Sequence, residues 1–209
     1  MMRRALVIGA AMTLTAGSAS AGETEFKLDP AHTSVGFSVQ HMGLSRVRGE
    51  FRKFDAKVAG DPASGRISQI EATVDAGSID TGIEARDNHL RAPDFFETSR
   101  FAQARLVSKK VTWKGDDFTA LVDLTLRDVT RPVTFTGQLL GKRELDLGQG
   151  LHQRVGYVAS ARIKRSEFGL SFGKVVEGVS VVGDEVTIEI QMQIWRPLEA
   201  PDAKAKAAR

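Results

Sequence analysis

The side chains best suited to binding or catalysis are concentrated in one stretch of the sequence, from Ser78 to Phe101. Charged and aromatic residues follow one another closely there: Arg86, Asp87, His89, Arg91, Phe95 and Phe96. A guanidinium group binds a phosphate or donates to a carbonyl oxygen, and a histidine can also donate. Phenylalanine side chains contact apolar groups. The stretch therefore combines groups for a polar head with groups for a hydrocarbon.

The same residues do not have the spacing of a known catalytic or metal site. Ser78, Asp87 and His89 are the residue types of a hydrolytic triad, but no nucleophile elbow surrounds Ser78, and serine is common at the start of a turn. The chain has four histidines, none in a close pair such as H-x-x-x-H, and no cysteine. We therefore predict no enzyme activity, no catalytic residue, no metal ligand and no cofactor.

A short helical insert is expected to position these side chains. Thr81 and Glu84 have the spacing of a capping box, and Pro93 prevents a regular continuation. We predict a helix over about residues 82–91 and a second helical turn near 94–98. Because the rest of the chain alternates apolar and polar residues, this insert would cover one end of a β-structure.

The alternation predicts about eight strands at short spacing, which is typical of an antiparallel sandwich or barrel. A change of parity near Lys53 predicts a β-bulge. Several inward positions carry small residues: Ala72, Ala120, Gly137, Ala159 and Ala161. Such residues either leave room for a ligand inside a barrel or accommodate facing aromatic rings in a dry core. The pattern alone leaves both interpretations open.

The first 21 residues have the features of a secretory signal peptide. Arg3 and Arg4 precede an apolar segment, and a small-residue motif ends at Ala21, after which we predict cleavage. The expected location is the periplasm. The Arg-Arg pair also suggests the twin-arginine route, but Met2 stands where that route favours Ser or Thr, so export through the general secretory route is favoured.

The charge of the remaining chain is nearly balanced. The full sequence has 29 basic and 26 acidic residues, and loss of Arg3 and Arg4 with the leader would leave a net charge of about +1. We therefore predict no nucleic-acid partner. Residues 22–197 are enough for one domain with a substantial core, and residues 198–209 are predicted to be a disordered tail.

Several blocks, in the same order, resemble the YceI-like family of exported polyisoprenoid-binding proteins. The most specific is Arg86-Asp87-Asn88-His89-Leu90-Arg91, followed by Asp94-Phe95-Phe96. The other matching blocks are residues 29–41, 47–51, 78–81, 124–130 and 163–169. The resemblance extends from about Phe26 to Trp195.

The resemblance implies an all-β fold, a lipocalin-like antiparallel β-barrel of about eight strands with one short helical insert. Residues 22–197 would form a lipid-binding barrel with a tunnel for a long-chain isoprenoid lipid, of the quinone or polyprenyl phosphate type. The protein would act as a carrier, store or scavenger. We predict these ligand-binding residues: Phe37, Val39, His41, Val74, Arg86, Asp87, His89, Leu90, Arg91, Phe95, Phe96, Val122, Phe135, Tyr157 and Phe168.

Two alternatives stay open. Asp87 and His89 have a structural interpretation as well as a ligand-binding one, because a buried polar side chain commonly bonds to nearby backbone. The protein could also be a non-enzymatic cell-envelope interaction or stress protein with a filled core. Transient contact with a membrane surface and formation of a homodimer are further hypotheses about partners.

Overall fold

The structure is a computed structural model and describes residues 23–176 and 178–198. The predicted signal peptide and the predicted tail from residue 199 onward lie outside the described residues. The described strands are, in chain order, β1 Thr24–Leu28, β2 Ser34–His41, β3 Ser45–Phe51, β4 Phe54–Asp61, β5 Arg66–Asp75, β6 Ile79–Asp80, β7 Gln103–Lys114, β8 Asp117–Leu126, β9 Val129–Asp146, β10 Leu151–Lys164, β11 Val175–Val176, β12 Val179–Ser180 and β13 Val182–Pro197. The α-helix α1 is Glu84–Arg91, and short 3₁₀ turns lie at Pro30–His32, Ala76–Ser78 and Arg165–Phe168.

Eight strands close into an antiparallel barrel. Their order is β1-β4-β5-β7-β8-β9-β10-β13, and β13 pairs with β1 to complete the ring. β2 pairs with the first part of β13 and β3 pairs with β2, so these two strands lengthen the walls made by β1 and β4. The prediction of an antiparallel barrel of about eight strands is confirmed. The described residues form 13 separate strands rather than eight, because two walls of the barrel are interrupted and three further strands are very short.

The interruption between β3 and β4 lies where the sequence predicts a bulge. β3 ends at Phe51 and β4 begins at Phe54, so the chain has a strand break there. The N–H group of Lys53 donates to Ser78 Oγ at 3.0 Å, and the carbonyl of Lys53 accepts from Asp75 N at 2.9 Å. These bonds tie the break to the segment that leads into α1.

Period-two alternation explains why the strands form a barrel with a distinct interior. In β8, Phe118, Ala120, Val122 and Leu124 are buried, while the residues between them are exposed or partly exposed. Alternate side chains of a strand point to opposite faces, so one face of each strand supplies the interior. The sequence therefore dictates which residues line the inside of the barrel.

The helix α1 begins later than predicted, and the predicted capping box is wrong. Its N-cap residue is Ile83, which makes no side-chain bond to the helix. The Thr81 hydroxyl instead donates to Asp87 Oδ1 at 2.5 Å. The helix ends at Arg91 because Pro93 disfavours a helical conformation of Ala92, whose backbone is extended.

The second helical turn predicted near 94–98 is a series of turns. The N–H groups of Phe95 and Glu97 both donate to Ala92 O at 3.0 Å, and no helix is assigned to this part of the described chain. Among the residues that the structure describes, no helix has the length and apolar composition needed to cross a membrane. Because these turns replace the predicted second helix, the insert consists of α1 and a compact turn that carries Phe95 and Phe96.

Candidate functional site

The interior of the barrel contains an apolar cavity of about 330 Å³. Most of its lining consists of aliphatic and aromatic side chains at inward positions of β2, β3, β5, β7, β8, β9, β10 and β13. A smaller chamber of about 80 Å³ lies deeper and shares six lining residues with the cavity: Val35, Ala72, Val74, Leu106, Phe135 and Ile190. Native cores contain few voids larger than one water molecule, whose share of liquid volume is about 30 Å³. A cavity of this size is therefore characteristic of a ligand site.

Three aromatic side chains, which we call the aromatic plug, close the deep end of the interior. The plug consists of Trp113, Phe118 and Tyr157, with ring centroids 4.9 Å apart for Trp113–Phe118 and 6.4 Å apart for Phe118–Tyr157. The Tyr157 hydroxyl donates to Gly65 O at 2.6 Å, and Trp113 Nε1 donates to Ile67 O at 2.8 Å. Burial raises the pKa of Tyr157 above its ordinary value, so the phenol is a neutral donor.

The opposite end of the cavity, which we call the mouth, is covered by an aromatic lid made of His89, Phe95 and Phe172. The rings of Phe95 and Phe172 stack with centroids 4.9 Å apart. His89 meets both rings edge-on, at 5.1 Å from Phe95 and 5.2 Å from Phe172. His89 Nε2 also lies 3.3 Å from Asp94 Oδ2. The lid joins α1, the turn after it and the loop that contains Phe172.

Two charged residues of α1 hold the start of the helix. Asp87 is buried, and its Oδ1 accepts from both the backbone N–H and the hydroxyl of Thr81. Arg86 donates from Nε to Thr81 Oγ1 at 2.7 Å and from Nη2 to Thr81 O at 2.8 Å. Thr81 is thus held from both sides, which fixes the direction in which the chain enters α1.

A third charged residue, Arg91, anchors the end of α1 to the segment before it. Arg91 Nε donates to Gly77 O at 2.8 Å, and Nη2 donates to Ile79 O at 2.8 Å. Buried carbonyl groups require such donors when no strand partner is available. The guanidinium group is therefore bonded to the protein backbone and is directed away from the cavity.

Two further arginines brace the loops around the mouth. Arg127 Nη1 donates to Phe95 O at 2.9 Å and to Gly169 O at 2.6 Å, which links the insert to the loop after β10. Arg165 Nη1 donates to Leu170 O at 2.6 Å within the same loop. Burial lowers the pKa of Arg165, and the nearby charge of Asp184 opposes that change. The lid is therefore held by hydrogen bonds to backbone carbonyls.

The structure brings together most of the predicted ligand-binding residues. Ten line the main cavity: Phe37, Val39, His41, Val74, Arg86, His89, Leu90, Phe95, Phe96 and Phe135. Val122 and Tyr157 line the deeper chamber. Asp87, Arg91 and Phe168 line neither space.

The three residues outside the lining have structural positions instead. Asp87 and Arg91 use their polar atoms to hold α1, as described above. Phe168 ends the 3₁₀ turn and is buried in the core at 1% exposure. Gly169, with φ of 75°, reverses the chain after it, and the next aromatic residue, Phe172, reaches the cavity. Of the polar and charged residues predicted to bind the ligand, His41, Arg86 and His89 line the main cavity.

Other lining residues were missed although the sequence carried a signal for most of them. The missed strand residues are inward by the same alternation: Val35, Val47, Phe51, Ala72, Ala104, Leu106, Leu124, Leu126, Ile163, Val186, Ile188 and Ile190. The alternation of apolar and polar residues identifies these positions as interior. It does not show whether the side chains line a cavity or fill a core. Phe172 lies in a loop without periodicity, and no sequence signal places it at the mouth.

A larger hollow of about 1210 Å³ lies on the outer surface of the barrel. It is open to solvent, and many of its lining side chains are polar, including Arg48, Glu50, Asp117 and Glu189. Within residues 23–176 and 178–198, no group of three His, Asp or Glu side chains is arranged to hold a metal ion. The interior cavity is less open and more apolar, and is therefore the stronger candidate for a ligand site.

Comparisons of the sequence with known proteins identify one family over most of the chain. The sequence profile described as a YceI-like domain matches residues 26–194. Protein YceI of Escherichia coli O17:K52:H18 is 34% identical over 161 residues, which cover 77% of this chain and 83% of that protein. The profile match thus includes every residue that lines the cavity.

Solved structures show the same fold. The Campylobacter jejuni YceI protein is 25% identical, with a TM-score of 0.65, and the match covers 84% of this chain and 99% of that one. A structure described as a polyisoprenoid binding domain from Saccharophagus degradans is 17% identical, with a TM-score of 0.56 and coverage of 84% and 98%.

Proposed function

This chain belongs to the YceI-like family, and we propose that it binds the hydrocarbon chain of an isoprenoid lipid inside its barrel. The observation that carries the proposal is the apolar cavity of about 330 Å³ in the barrel interior. The description of the Saccharophagus degradans structure as a polyisoprenoid binding domain supports the choice of ligand class. The cavity also argues against the alternative of a filled core.

The wall of the cavity suits a branched hydrocarbon. Burial of apolar surface stabilises a bound chain by about 0.8 kcal/mol per CH₂ group. Side chains from facing strands, such as Val39, Val74 and Phe135, offer contact along the length of such a chain. The deeper chamber continues the apolar path toward the aromatic plug. In this proposal the prenyl tail enters first and its end faces the plug.

The head group would lie near the mouth, where the cavity has polar side chains. His41, Arg86 and His89 line that region. Arg86 uses Nε and Nη2 to bond Thr81 and has a further nitrogen, Nη1, that can donate to a ligand. A quinone carbonyl or a phosphate oxygen is an acceptor for such donors. These two head groups are the ones that we propose.

We propose a binding role without catalysis. Ser78 Oγ donates to Asp75 O, Asp87 binds Thr81, and His89 contacts Asp94, so these three residues do not form a triad. A carrier, store or scavenger needs only reversible binding. If the predicted signal peptide is cleaved after Ala21, such a protein would act in the periplasm, where its ligand would otherwise stay in a membrane.

Mass spectrometry tests the proposal directly. The protein is purified without organic solvent, measured under native conditions, and then extracted and measured again. We expect a discrete bound mass that matches a prenyl quinone or a polyprenyl phosphate. An unliganded mass, together with no change in melting temperature on addition of either lipid class, would contradict the proposal.

A further inference from the structure

Exposed aliphatic side chains lie beside the mouth of the cavity, in two loops. Leu44 lies in the turn between β2 and β3 and is 85% exposed. Val175, Val176 and Val179 lie in the hairpin of β11 and β12, and Val175 is 60% exposed. We call these four residues the apolar rim. Single exposed aliphatic residues are ordinary, but a group beside a ligand cavity indicates an interaction surface.

The two loops are joined to each other and to the cavity. Met42 N donates to Val181 O at 3.1 Å, which connects the turn to the end of the hairpin. His41 comes just before the turn, and Phe172 and Val181 stand on either side of the hairpin. All three line the cavity. The apolar rim therefore continues the cavity lining outward to the protein surface.

We propose that the apolar rim docks onto the surface of a phospholipid membrane. An isoprenoid chain would then move between the bilayer and the cavity without crossing water. This inference rests on the proposed function and adds how the cavity is loaded and emptied. The hydrophobic effect opposes transfer of a free prenyl chain through water, and direct contact between the mouth and the bilayer avoids that cost.

The size and composition of the apolar rim favour a membrane over a protein partner. A stable protein interface buries about 800 Å² on each side and is anchored by aromatic or arginine side chains in pockets. The rim has four aliphatic side chains on two narrow tips. A few aliphatic side chains are enough for weak, reversible insertion into the headgroup region of a bilayer. Reversibility is what a protein that exchanges a lipid requires.

Two basic residues flank the apolar rim in the sequence, and one acidic residue, Glu177, lies between Val176 and Val179. Lys174 directly precedes Val175, and Arg46 follows Leu44 by two residues. Arg46 donates to the uncharged oxygens Ser38 Oγ and Thr187 Oγ1. Neither Lys174 nor Arg46 has an ion pair within the described part of the chain. Basic groups beside an apolar tip increase attachment to anionic phospholipids.

The opposite end of the barrel offers a matched control. Leu140, Leu145 and Leu147 are also exposed, and they lie in or beside the hairpin of β9 and β10 at the other end from the mouth. A rim variant carries Leu44→Ser, Val175→Ser and Val179→Ser. The control variant carries Leu140→Ser, Leu145→Ser and Leu147→Ser. Both variants replace three exposed aliphatic residues by serine.

The experiment is flotation with vesicles of phosphatidylethanolamine and phosphatidylglycerol that contain no isoprenoid. The protein is the chain from residue 22 to residue 209, which includes every described element. We expect the parent chain and the control variant to float with the vesicles. We expect the rim variant to lose bound protein by about tenfold or more, because its apolar insertion is removed. Binding of farnesol in solution is measured on all three proteins.

The outcomes separate docking from ligand binding. Loss of flotation in the rim variant, with farnesol binding unchanged in solution, supports docking. A parent chain that binds farnesol but does not float, or a rim variant that floats as well as the control, overturns docking and leaves the proposed function in place. If the parent stays off the vesicles and the rim variant alone loses a cross-linked protein partner, the rim belongs to a protein interface and membrane docking is overturned.

Discussion

The two ends of the barrel use aromatic side chains for opposite purposes. The aromatic plug fills the deep end, and its polar atoms are bonded to the carbonyls of Gly65 and Ile67. The aromatic lid covers the mouth with an apolar cavity beneath it, and its histidine is partly exposed. A filled end contributes packing to the folded state. A covered but unfilled end contributes space for a ligand.

The two ends of the barrel therefore contribute different properties: the aromatic plug contributes stability, and the mouth contributes ligand binding. We expect substitutions in the aromatic plug to lower the free energy of unfolding and leave the mouth intact. Phe95 of the lid is itself buried, at 6% exposure, so the test uses Phe172, which is only partly buried. Substitution of Phe172 should leave the free energy of unfolding nearly unchanged and alter how long a ligand stays bound. The predictions below test that separation.

The largest expected effect is at the plug. Tyr157→Ala should lower the free energy of unfolding by about 4 kcal/mol, because a buried aromatic side chain is replaced by a cavity. Tyr157→Phe keeps the ring and loses only the hydroxyl bond to Gly65 O, so its cost should be about 1–2 kcal/mol. Urea unfolding measures both values. A loss below about 1 kcal/mol in Tyr157→Ala would contradict the claim that the aromatic plug stabilises the folded state.

A smaller loss of stability is expected where α1 is anchored. Asp87→Ala removes the acceptor for the backbone N–H and the hydroxyl of Thr81 and should cost about 2 kcal/mol. Glu84→Ala is the control, since Glu84 is an exposed acidic residue in the first turn of the same helix. Thermal unfolding compares the two variants. Equal melting temperatures would show that Asp87 does not hold the insert.

The lid prediction concerns ligand exchange. Phe172→Ala should speed dissociation of a bound isoprenoid about tenfold, because Phe95 loses its stacked partner at the mouth. The free energy of unfolding should change by less than about 1 kcal/mol. Phe101→Ala is the control, because Phe101 is half-buried and lines neither the cavity nor the deeper chamber. Stopped-flow fluorescence with a prenyl probe gives the rates. Similar dissociation rates in both variants would show that Phe172 does not slow the release of the ligand.

The smallest effect depends on pH. Burial alone would raise the pKa of Asp29, but hydrogen bonds from His32 and Gln193 and the charge of Arg154 outweigh it and hold the pKa below its ordinary value of 3.8. The unfolded chain therefore takes up the proton first as the pH falls. The stability that Asp29 contributes, about 1 kcal/mol, is complete above its unfolded pKa and is lost as the pH falls through the lower folded pKa.

Asp29→Asn tests that sign. At neutral pH the variant should unfold at a lower urea concentration than the parent. The difference should shrink below about pH 4, because the parent then loses its carboxylate as well. A difference that grows on acidification would contradict the lowered pKa of Asp29.

Much of the fold was predictable because alternation directly reports which face of a strand is inside. The inward residues of β8 follow the sequence pattern from Phe118 to Leu124. The pattern could not separate a plug from a cavity. Both regions are built from inward apolar residues, and the difference depends on how large side chains from distant strands meet.

The polar residues of the insert were harder to assign for a different reason. Arg86, Asp87 and Arg91 have the residue types of a head-group site, yet most of their polar atoms bond to backbone and to Thr81. A short helix between strands exposes carbonyl and N–H groups that need partners. Residue type cannot tell whether a guanidinium group serves a ligand or a backbone carbonyl. That choice is made by geometry.

The central claim is that the barrel interior is the ligand site, and filling it is the most direct test. Ala72 lines both the cavity and the deeper chamber, whereas Thr73 on the same strand lines neither. Isothermal titration with farnesol compares Ala72→Trp with Thr73→Trp. We predict that Ala72→Trp weakens binding by about 100-fold or more while Thr73→Trp binds like the parent, because only the first variant occupies the cavity. Unchanged binding in a folded Ala72→Trp variant would contradict an interior site.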